Sequence, residues 1–346
     1  MLHRSHTKTF SETMQVCSTL CALLVVFIHA YNVPIYTDVS NTAVYWIQDV
    51  IVRGLGKGAV PFFFMSSAFF LYGRPNNTKR VYQSRFKSLV IPYVLWNTIF
   101  MVYYTIAKAV HLSSFGLDLN NLRASDILGG IFLHDYNAPY WYMLYLIAMI
   151  AMYPLLKWII SRNKLVCFSF LVILFAAQTY ASHNPYFHIN YSSSIIYYYL
   201  GALLGFYYKD EVEKIPQIKK SHLTVLLVAL LCAATLLYLA TNVWGLPLDV
   251  FRDISMVLLI VFFAIALNLN NPKILVGLSF MIYSMHTIIL ESIEEIIYIF
   301  MPHNALWMMI DFVVAPLITV PIIVVVCILM KKFLPKVYTV LNGNRL

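Results

Sequence analysis

Long apolar runs follow one another along almost the whole chain, and they constrain its fold more than any other feature. A helix that crosses the hydrocarbon layer of a membrane needs about 20 mostly apolar residues. Ten runs of roughly this length occur between polar breaks, near residues 13–31, 57–73, 89–107, 140–156, 165–181, 194–208, 223–240, 254–268, 274–290 and 308–330. The sequence therefore predicts an all-α polytopic bundle of about ten transmembrane helices, in a single domain over residues 1–346.

The composition excludes the common soluble classes. Of the 346 residues, 61% are hydrophobic and 11% are charged, whereas soluble domains average about 45–50% apolar and about 25% charged residues. A soluble α/β enzyme and a disordered chain are both excluded by these values.

The basic residues follow the predicted topology. If the N-terminus is cytoplasmic and the connections alternate, cytoplasmic segments hold 19 of the 24 Lys and Arg residues. Such a bias orients membrane proteins with the basic segments inside. We therefore expect both termini in the cytoplasm and a multi-pass location in the cytoplasmic (inner) membrane, among membrane lipids. The net charge of +9 does not indicate a nucleic-acid partner.

Two histidines lie within predicted spans. His29 ends the apolar run of the first span, and His286 lies in the ninth. An ionisable residue in the hydrocarbon is costly and usually faces the bundle interior, where it binds or transfers something. Because both lie toward the outer halves of their helices, we expect them to share a polar cavity. The alternative for each is a neutral histidine satisfied by a neighbouring hydroxyl.

A basic loop runs directly into the third predicted span. Its cations include Arg80, Arg85 and Lys87. Ordinary anchoring of a cytoplasmic loop explains most of this charge. The alternative interpretation is that these side chains bind the phosphates of a soluble donor at the entrance of a cavity.

Six short motifs, in this order, carry a resemblance to a known family. They are Val25–His29, Val60–Ser67, Arg85 with Pro92, Tyr93 and Trp96, Pro139–Tyr142, Tyr197–Gly205, and Ser279–His286. The chain resembles the integral-membrane acyltransferase-3 family, whose members O-acylate surface polysaccharides, lipid-linked sugars, peptidoglycan and small hydroxylated molecules. The resemblance runs almost from end to end.

The resemblance implies transfer of an acetyl or other short acyl group to a hydroxyl of a surface or lipid-linked glycan. Acyl-CoA, most simply acetyl-CoA, would be the co-substrate, and no metal is expected. Polysaccharide-assembly proteins are candidate partners. The alternatives are an exporter of a glycan or lipid-linked precursor, and an inactive relative within a polysaccharide-assembly complex.

The resemblance also implies roles for particular residues. His29 would be the general base or a transient acyl carrier, because a sugar hydroxyl is a poor nucleophile at neutral pH. The full set comprises His29, Tyr283 and His286 as catalytic residues, Arg80, Arg85 and Lys87 for donor phosphates, and Ser67, Trp141 and Tyr142 for the substrate. For Ser67 and Tyr283 the alternative role is helix packing. For Trp141 and Tyr142 the alternative role is anchoring at the membrane interface.

Four positions depart from the family pattern. The family's serine-glycine of the second span reads Ser67-Ala68 here, and Pro139 stands where a histidine is often found. The other two departures are lost cations. The family usually has Arg or Lys eleven residues before the first-span histidine, where this chain has Ser18. Its arginine pair before the third span reads Arg-x-x-Arg, and here Ser88 occupies the second position. These losses are compatible with a divergent subfamily, a different donor or an inactive relative.

Overall fold

The computed structural model describes residues 9–32, 43–75, 77–110, 115–183 and 193–345. Every regular element in these ranges is helical, so the predicted all-α class is confirmed. The α-helices are α1 (Phe10–His29), α2 (Ala43–Asp49), α3 (Ala59–Tyr72), α4 (Thr78–Arg85), α5 (Ile91–Ala109), α6 (Ala124–Phe132), α7 (Trp141–Ala151), α8 (Tyr153–Ile160), α9 (Lys164–His183), α10 (Ser194–Tyr207), α11 (Lys209–Glu213), α12 (Lys220–Tyr238), α13 (Asp249–Ala266), α14 (Ser279–Phe300), α15 (Ala305–Phe333) and α16 (Pro335–Leu341).

Six helical segments of the described chain are long and apolar enough to cross a membrane. They are Phe10–His29, Ala43–Tyr72, Thr78–Ala109, Lys164–Ala181, Ser221–Val243 and Ala305–Phe333. A seventh is present if Ala138–Ala151 and Tyr153–Ile160, which are separated by a bend, count as one span. The chain is thus a multi-pass membrane protein. The count of ten spans and the cytoplasmic termini stay predictions.

The three remaining predicted runs also contain helices, but these are shorter or more polar. Helix α10 has 14 residues, which gives about 21 Å at a rise of 1.5 Å per residue. Helices α13 and α14 are longer, and each carries three charged residues. Charges inside a span are expensive unless they are paired or face other protein groups.

Helix α1 begins at a reciprocal cap. The backbone N–H of Glu12 donates to Thr9 Oγ1 at 3.3 Å, and the backbone N–H of Thr9 donates to Glu12 Oε2 at 2.8 Å. This capping box satisfies two donors that an uncapped helix start leaves unpaired. It fixes where α1 begins.

The chain divides into two compact units, each assembled from three segments. Unit 1 comprises Met1–Asn76, Pro154–Ser279 and His303–Val313. Unit 2 comprises Asn77–Tyr153, Phe280–Pro302 and Val314–Leu346. The segments of the two units alternate along the sequence. The prediction of a single domain over residues 1–346 stays a prediction.

Within unit 1, helices α3 and α10 pack backbone against backbone. Gly201 and Gly205 lie one turn apart on α10, and a Cβ on either would overlap the backbone of α3, at Met65 and Phe69 respectively. Small residues four apart allow such close approach between helices in membranes, where packing is a main driving force for association.

Replacing Gly201 with leucine is expected to lower the free energy of unfolding by about 1–3 kcal/mol, because the backbone at Met65 cannot yield as a flexible side chain would. The measurement is the thermal unfolding midpoint of the purified protein in detergent. Phe206→Leu, on the exposed side of the same helix, is the control and should leave the midpoint almost unchanged. A Gly201→Leu protein with the same unfolding midpoint as the wild type would refute this packing.

Candidate functional site

His29, the last residue of α1, lies in unit 1. Its side chain is exposed, so it is not packed in a solid core. A group that reacts with a substrate has to be reachable in this way.

A buried polar network holds the chain just beyond His29. Asn32 donates from Nδ2 to Asp311 Oδ2 at 2.8 Å and to the backbone oxygen of Met308 at 3.1 Å. Gln48 Nε2 in turn donates to Asn32 Oδ1 at 3.0 Å. All three polar side chains are buried. Residues from α2 and α15 therefore fix the end of the helix that carries the histidine.

Ser67 lies in unit 1 on α3 and is half-buried. Its neighbour Ser66 donates to the backbone oxygen of Phe63 at 3.3 Å, as serines within helices commonly do. The Ser67 hydroxyl has no hydrogen-bond partner in the described ranges. Of the two adjacent serines, it is the one whose hydroxyl remains available to a ligand.

Tyr283 belongs to a buried aromatic cluster in unit 2. Its hydroxyl donates to the backbone oxygen of Pro139 at 2.5 Å. Its ring stacks on Tyr140, with 5.5 Å between ring centroids, and Tyr140 donates to Ser284 Oγ at 2.8 Å. These contacts join α14 to the turn that opens α7.

His286 is completely buried in unit 2. Its Nδ1 lies 2.7 Å from the backbone oxygen of Tyr283, and its Nε2 lies 3.4 Å from Thr287 Oγ1. Both ring nitrogens thus have neighbours within α14. Catalytic roles for His286 and Tyr283 stay predictions, and the described contacts favour positioning of the aromatic cluster.

The two aromatic residues predicted to meet the substrate begin α7. Trp141 and Tyr142 are both half-buried. Trp141 packs edge-on against Tyr145 at 6.0 Å, and Tyr142 packs edge-on against Tyr283 at 5.8 Å, both between ring centroids. Tyr142 therefore extends the buried aromatic cluster toward accessible space.

The three predicted donor-binding cations differ in their surroundings. Arg80 and Lys87 are exposed, whereas Arg85, the last residue of α4, is half-buried. Arg85 lines a cavity of about 220 Å³ in unit 2 with Tyr82 and apolar side chains. A π-helical turn, Phe86–Val90, then leads into α5. Of the three cations, Arg85 is the one with a partly desolvated environment, where a charge interaction is strongest.

The two serines that replace family cations have different environments. Ser18 Oγ donates to Ser279 Oγ at 3.0 Å and so links α1 to the first residue of α14. Ser88 is half-buried, and its hydroxyl oxygen has no hydrogen-bond partner in the described ranges. Neither serine supplies a charge.

Sequence reasoning did not single out Arg345, although the structure places it in unit 2 near Arg85 and Tyr142. Its guanidinium carbon lies 3.9 Å from the centroid of the Phe280 ring. Burial, together with the neighbouring Arg85 guanidinium, lowers the pKa of Arg345 to about 10, against an opposing effect of Tyr142. The group is therefore still cationic at pH 7. In the sequence, Arg345 is distinguished only as a cation that follows the last apolar run.

The predicted site residues thus fall into two groups. Unit 1 holds His29 and Ser67. Unit 2 holds Arg80, Arg85, Lys87, Trp141, Tyr142, Tyr283 and His286. Within unit 2 the structure brings together Tyr142, Tyr283 and His286, as neighbours in the aromatic cluster. The cavity that His29 and His286 were expected to share stays a prediction.

These features define a helical multi-pass membrane protein with an exposed histidine at the end of its first candidate span. The family model for an acyltransferase domain, that of the acyltransferase-3 family, matches residues 19–331. Because the match covers most of the chain, the protein belongs to this family and is an acyltransferase. Comparison with curated proteins gives no match, and comparison with solved structures gives none either.

Proposed function

We propose that this enzyme transfers an acetyl or other short acyl group from cytoplasmic acyl-CoA to a hydroxyl of a surface or lipid-linked glycan. The cytoplasmic membrane is the proposed location. Acetyl-CoA is the simplest donor, since it is a ready cytoplasmic thioester. Family membership favours this function over export of a glycan without chemistry.

The observation that carries the proposal is the environment of His29. A hydroxyl becomes an effective nucleophile when a base removes its proton as it attacks, and an imidazole is suited to this near neutral pH. A base must be reachable by the substrate, and the accessible side chain of His29 meets this condition.

The proposed step conserves atoms and charge. The acceptor oxygen attacks the thioester carbonyl as His29 takes the hydroxyl proton. The tetrahedral intermediate then collapses, the new C–O ester bond remains, and the C–S bond breaks. The departing CoA sulfur recovers the proton from the imidazolium. A variant of this scheme, in which His29 itself carries the acyl group between donor and acceptor, gives the same products.

The donor's phosphates fit the basic segment before α5. Coenzyme A carries several phosphate charges, and guanidinium groups bind phosphate through paired charge-assisted hydrogen bonds. Arg85 is the best placed of the predicted cations because it is half-buried and lines a cavity. Arg80 and Lys87, both exposed, add attraction that salt would screen.

The acceptor assignment rests on Trp141, Tyr142 and Ser67. The half-buried aromatic rings offer flat apolar faces of the kind that pack against sugar rings, and the available Ser67 hydroxyl can hydrogen-bond a polar group. Polysaccharide-assembly proteins are the proposed partners, since a modified glycan must be passed on to them.

The proposal is tested by mass spectrometry of surface glycans from cells with and without the gene. The expected result is the loss of one acyl group's mass per modified sugar when the gene is removed, with the glycan still present. A loss of surface glycan in which any residual glycan is acylated as in the wild type would instead support export and contradict the proposal.

A further inference from the structure

The end of the chain turns back at a defined motif beyond α16. Gly343 (φ 65°) and Asn344 (φ 56°) are both in the left-handed region. The backbone N–H of Asn344 donates to the oxygen of Thr339 at 2.8 Å, and that of Gly343 donates to the oxygen of Val340 at 3.0 Å. This pair of hydrogen bonds is a Schellman motif. It ends α16 directly before Arg345.

The Arg345 side chain is fixed before any ligand arrives. Its Nη1 donates to the backbone oxygen of Asn342 at 3.1 Å, and Asn342 Nδ2 donates to the backbone oxygen of Arg345 at 2.6 Å. The guanidinium lies over the Phe280 ring. A side chain that is already ordered loses little entropy on binding.

Arg345 has no carboxylate within ion-pair distance in the described part of the chain. Its charged neighbour among the described residues is Arg85, a group of the same sign. A phosphate group that lies near both guanidinium groups is attracted by each of them, and the attraction is stronger in a partly desolvated place than in water.

The guanidinium also lies beside Ser88. A Cβ placed on Gly343 would overlap both Arg345 Nη1 and the backbone oxygen of Ser88, so these two atoms flank the same small space. Ser88 follows Arg85 by three residues and lies in the π-helical turn Phe86–Val90. The returning C-terminal segment therefore brings a cation to the position where Ser88 supplies none.

We propose that Arg345 and Arg85 together bind phosphate groups of the acyl donor, with Arg345 supplying from the C-terminal segment the cation that Ser88 lacks. This inference rests on the proposed function, because it identifies the anion with the phosphates of an acyl-CoA. It assigns a donor-binding role to Arg345, in addition to the predicted cations of the segment before α5.

The test measures equilibrium binding of acetyl-CoA to the purified full-length protein in detergent. Arg345→Gln is expected to weaken binding on the order of ten- to a hundredfold, as the loss of charge-assisted hydrogen bonds does. Binding of the phosphate-free thioester S-acetylpantetheine should not change. Lys336→Gln removes an exposed cation of α16 and is the matched control, with wild-type affinity expected. An Arg345→Gln protein that binds acetyl-CoA with wild-type affinity would overturn the proposal.

A second substitution tests the geometry. Adding Ser88→Arg to the Arg345→Gln protein should recover most of the lost affinity, because the new guanidinium occupies the same small space. Protection of the wild type from phenylglyoxal provides an independent readout that needs no variant. Acetyl-CoA should slow modification of Arg345, as followed by peptide mass spectrometry. The absence of both recovery and protection would contradict the proposal.

Measuring the binding of inorganic pyrophosphate distinguishes failure of this inference from failure of the proposed function. If pyrophosphate binds in an Arg345-dependent manner and acetyl-CoA does not bind, the anion site is upheld and acyl-CoA as the donor is refuted. If acetyl-CoA binds equally well with and without Arg345, the donor is upheld and the role of Arg345 is refuted.

Discussion

Replacing His29 with alanine is expected to reduce acyl transfer by about 10²–10⁴-fold, the range that a positioned general base contributes. The imidazole is exposed at the end of α1, and alanine leaves no group there that can accept a proton. The measurement is the acyl content of surface glycans in cells that express the variant at wild-type levels.

The matched control is His222→Ala, which removes an exposed histidine of α12 in the same unit. It should retain full transfer, and both variants should elute as the wild type does in size-exclusion chromatography. A folded His29→Ala protein with unreduced transfer would exclude the imidazole both as base and as acyl carrier.

Replacing Asp253 with alanine is expected to destabilise the protein by about 3 kcal/mol, the lower end of the range for breaking a buried ion pair. Arg252 and Asp253 are both buried, and Arg252 Nη2 lies 2.8 Å from Asp253 Oδ1. Tyr197 also donates to Asp253 Oδ2 at 2.6 Å and thereby joins α10 to α13. Without Asp253, the Arg252 guanidinium keeps only the partly exposed Asp249 as its carboxylate partner among the described residues.

Thermal unfolding in detergent measures the effect, and Asp249→Ala is the comparison. The Asp249 carboxylate lies 2.9 Å from Arg252 Nη1 but its side chain is 56% exposed, so its loss should cost well under 1 kcal/mol. Equal losses of stability in the two variants would show that burial of the Asp253 pair contributes nothing.

The helices could be predicted from the sequence because the hydrocarbon layer of a membrane permits few backbone conformations. Backbone groups in a membrane must be satisfied internally, so an apolar run of spanning length forms a helix. Each of the ten predicted runs contains a helix in the structure. The break between α7 and α8 was not predicted, although Pro154 supplies a reason, since proline removes a backbone donor and disfavours helical geometry before it.

The surroundings of individual side chains could not be predicted in the same way. His29 and His286 gave the same signal, an ionisable residue in an apolar run, yet one side chain is accessible and the other is completely buried. Which face of a helix meets a cavity depends on neighbours that are distant in sequence. Asn32, for example, is held by Asp311, 279 residues further along the chain.

Charges at the ends of helices were equally ambiguous. Arg252 lies just before the predicted run 254–268, and the structure buries it against Asp253 on α13. Arg345 follows the last predicted run, and its place near Arg85 depends on the turn at Gly343 and Asn344. The contact between the C-terminal segment and the residues near Arg85 is long-range in sequence, and no periodic pattern in the sequence predicts it.

The central claim is that an imidazole at the end of α1 serves acyl transfer from a CoA thioester. Turnover of labelled acetyl-CoA by the purified protein in liposomes, beside His29→Ala and His222→Ala, tests it most directly. We expect release of free CoA by the wild type and by His222→Ala, and release near background by His29→Ala. Equal release by all three proteins, or none from a folded wild type supplied with glycan acceptor, would contradict it.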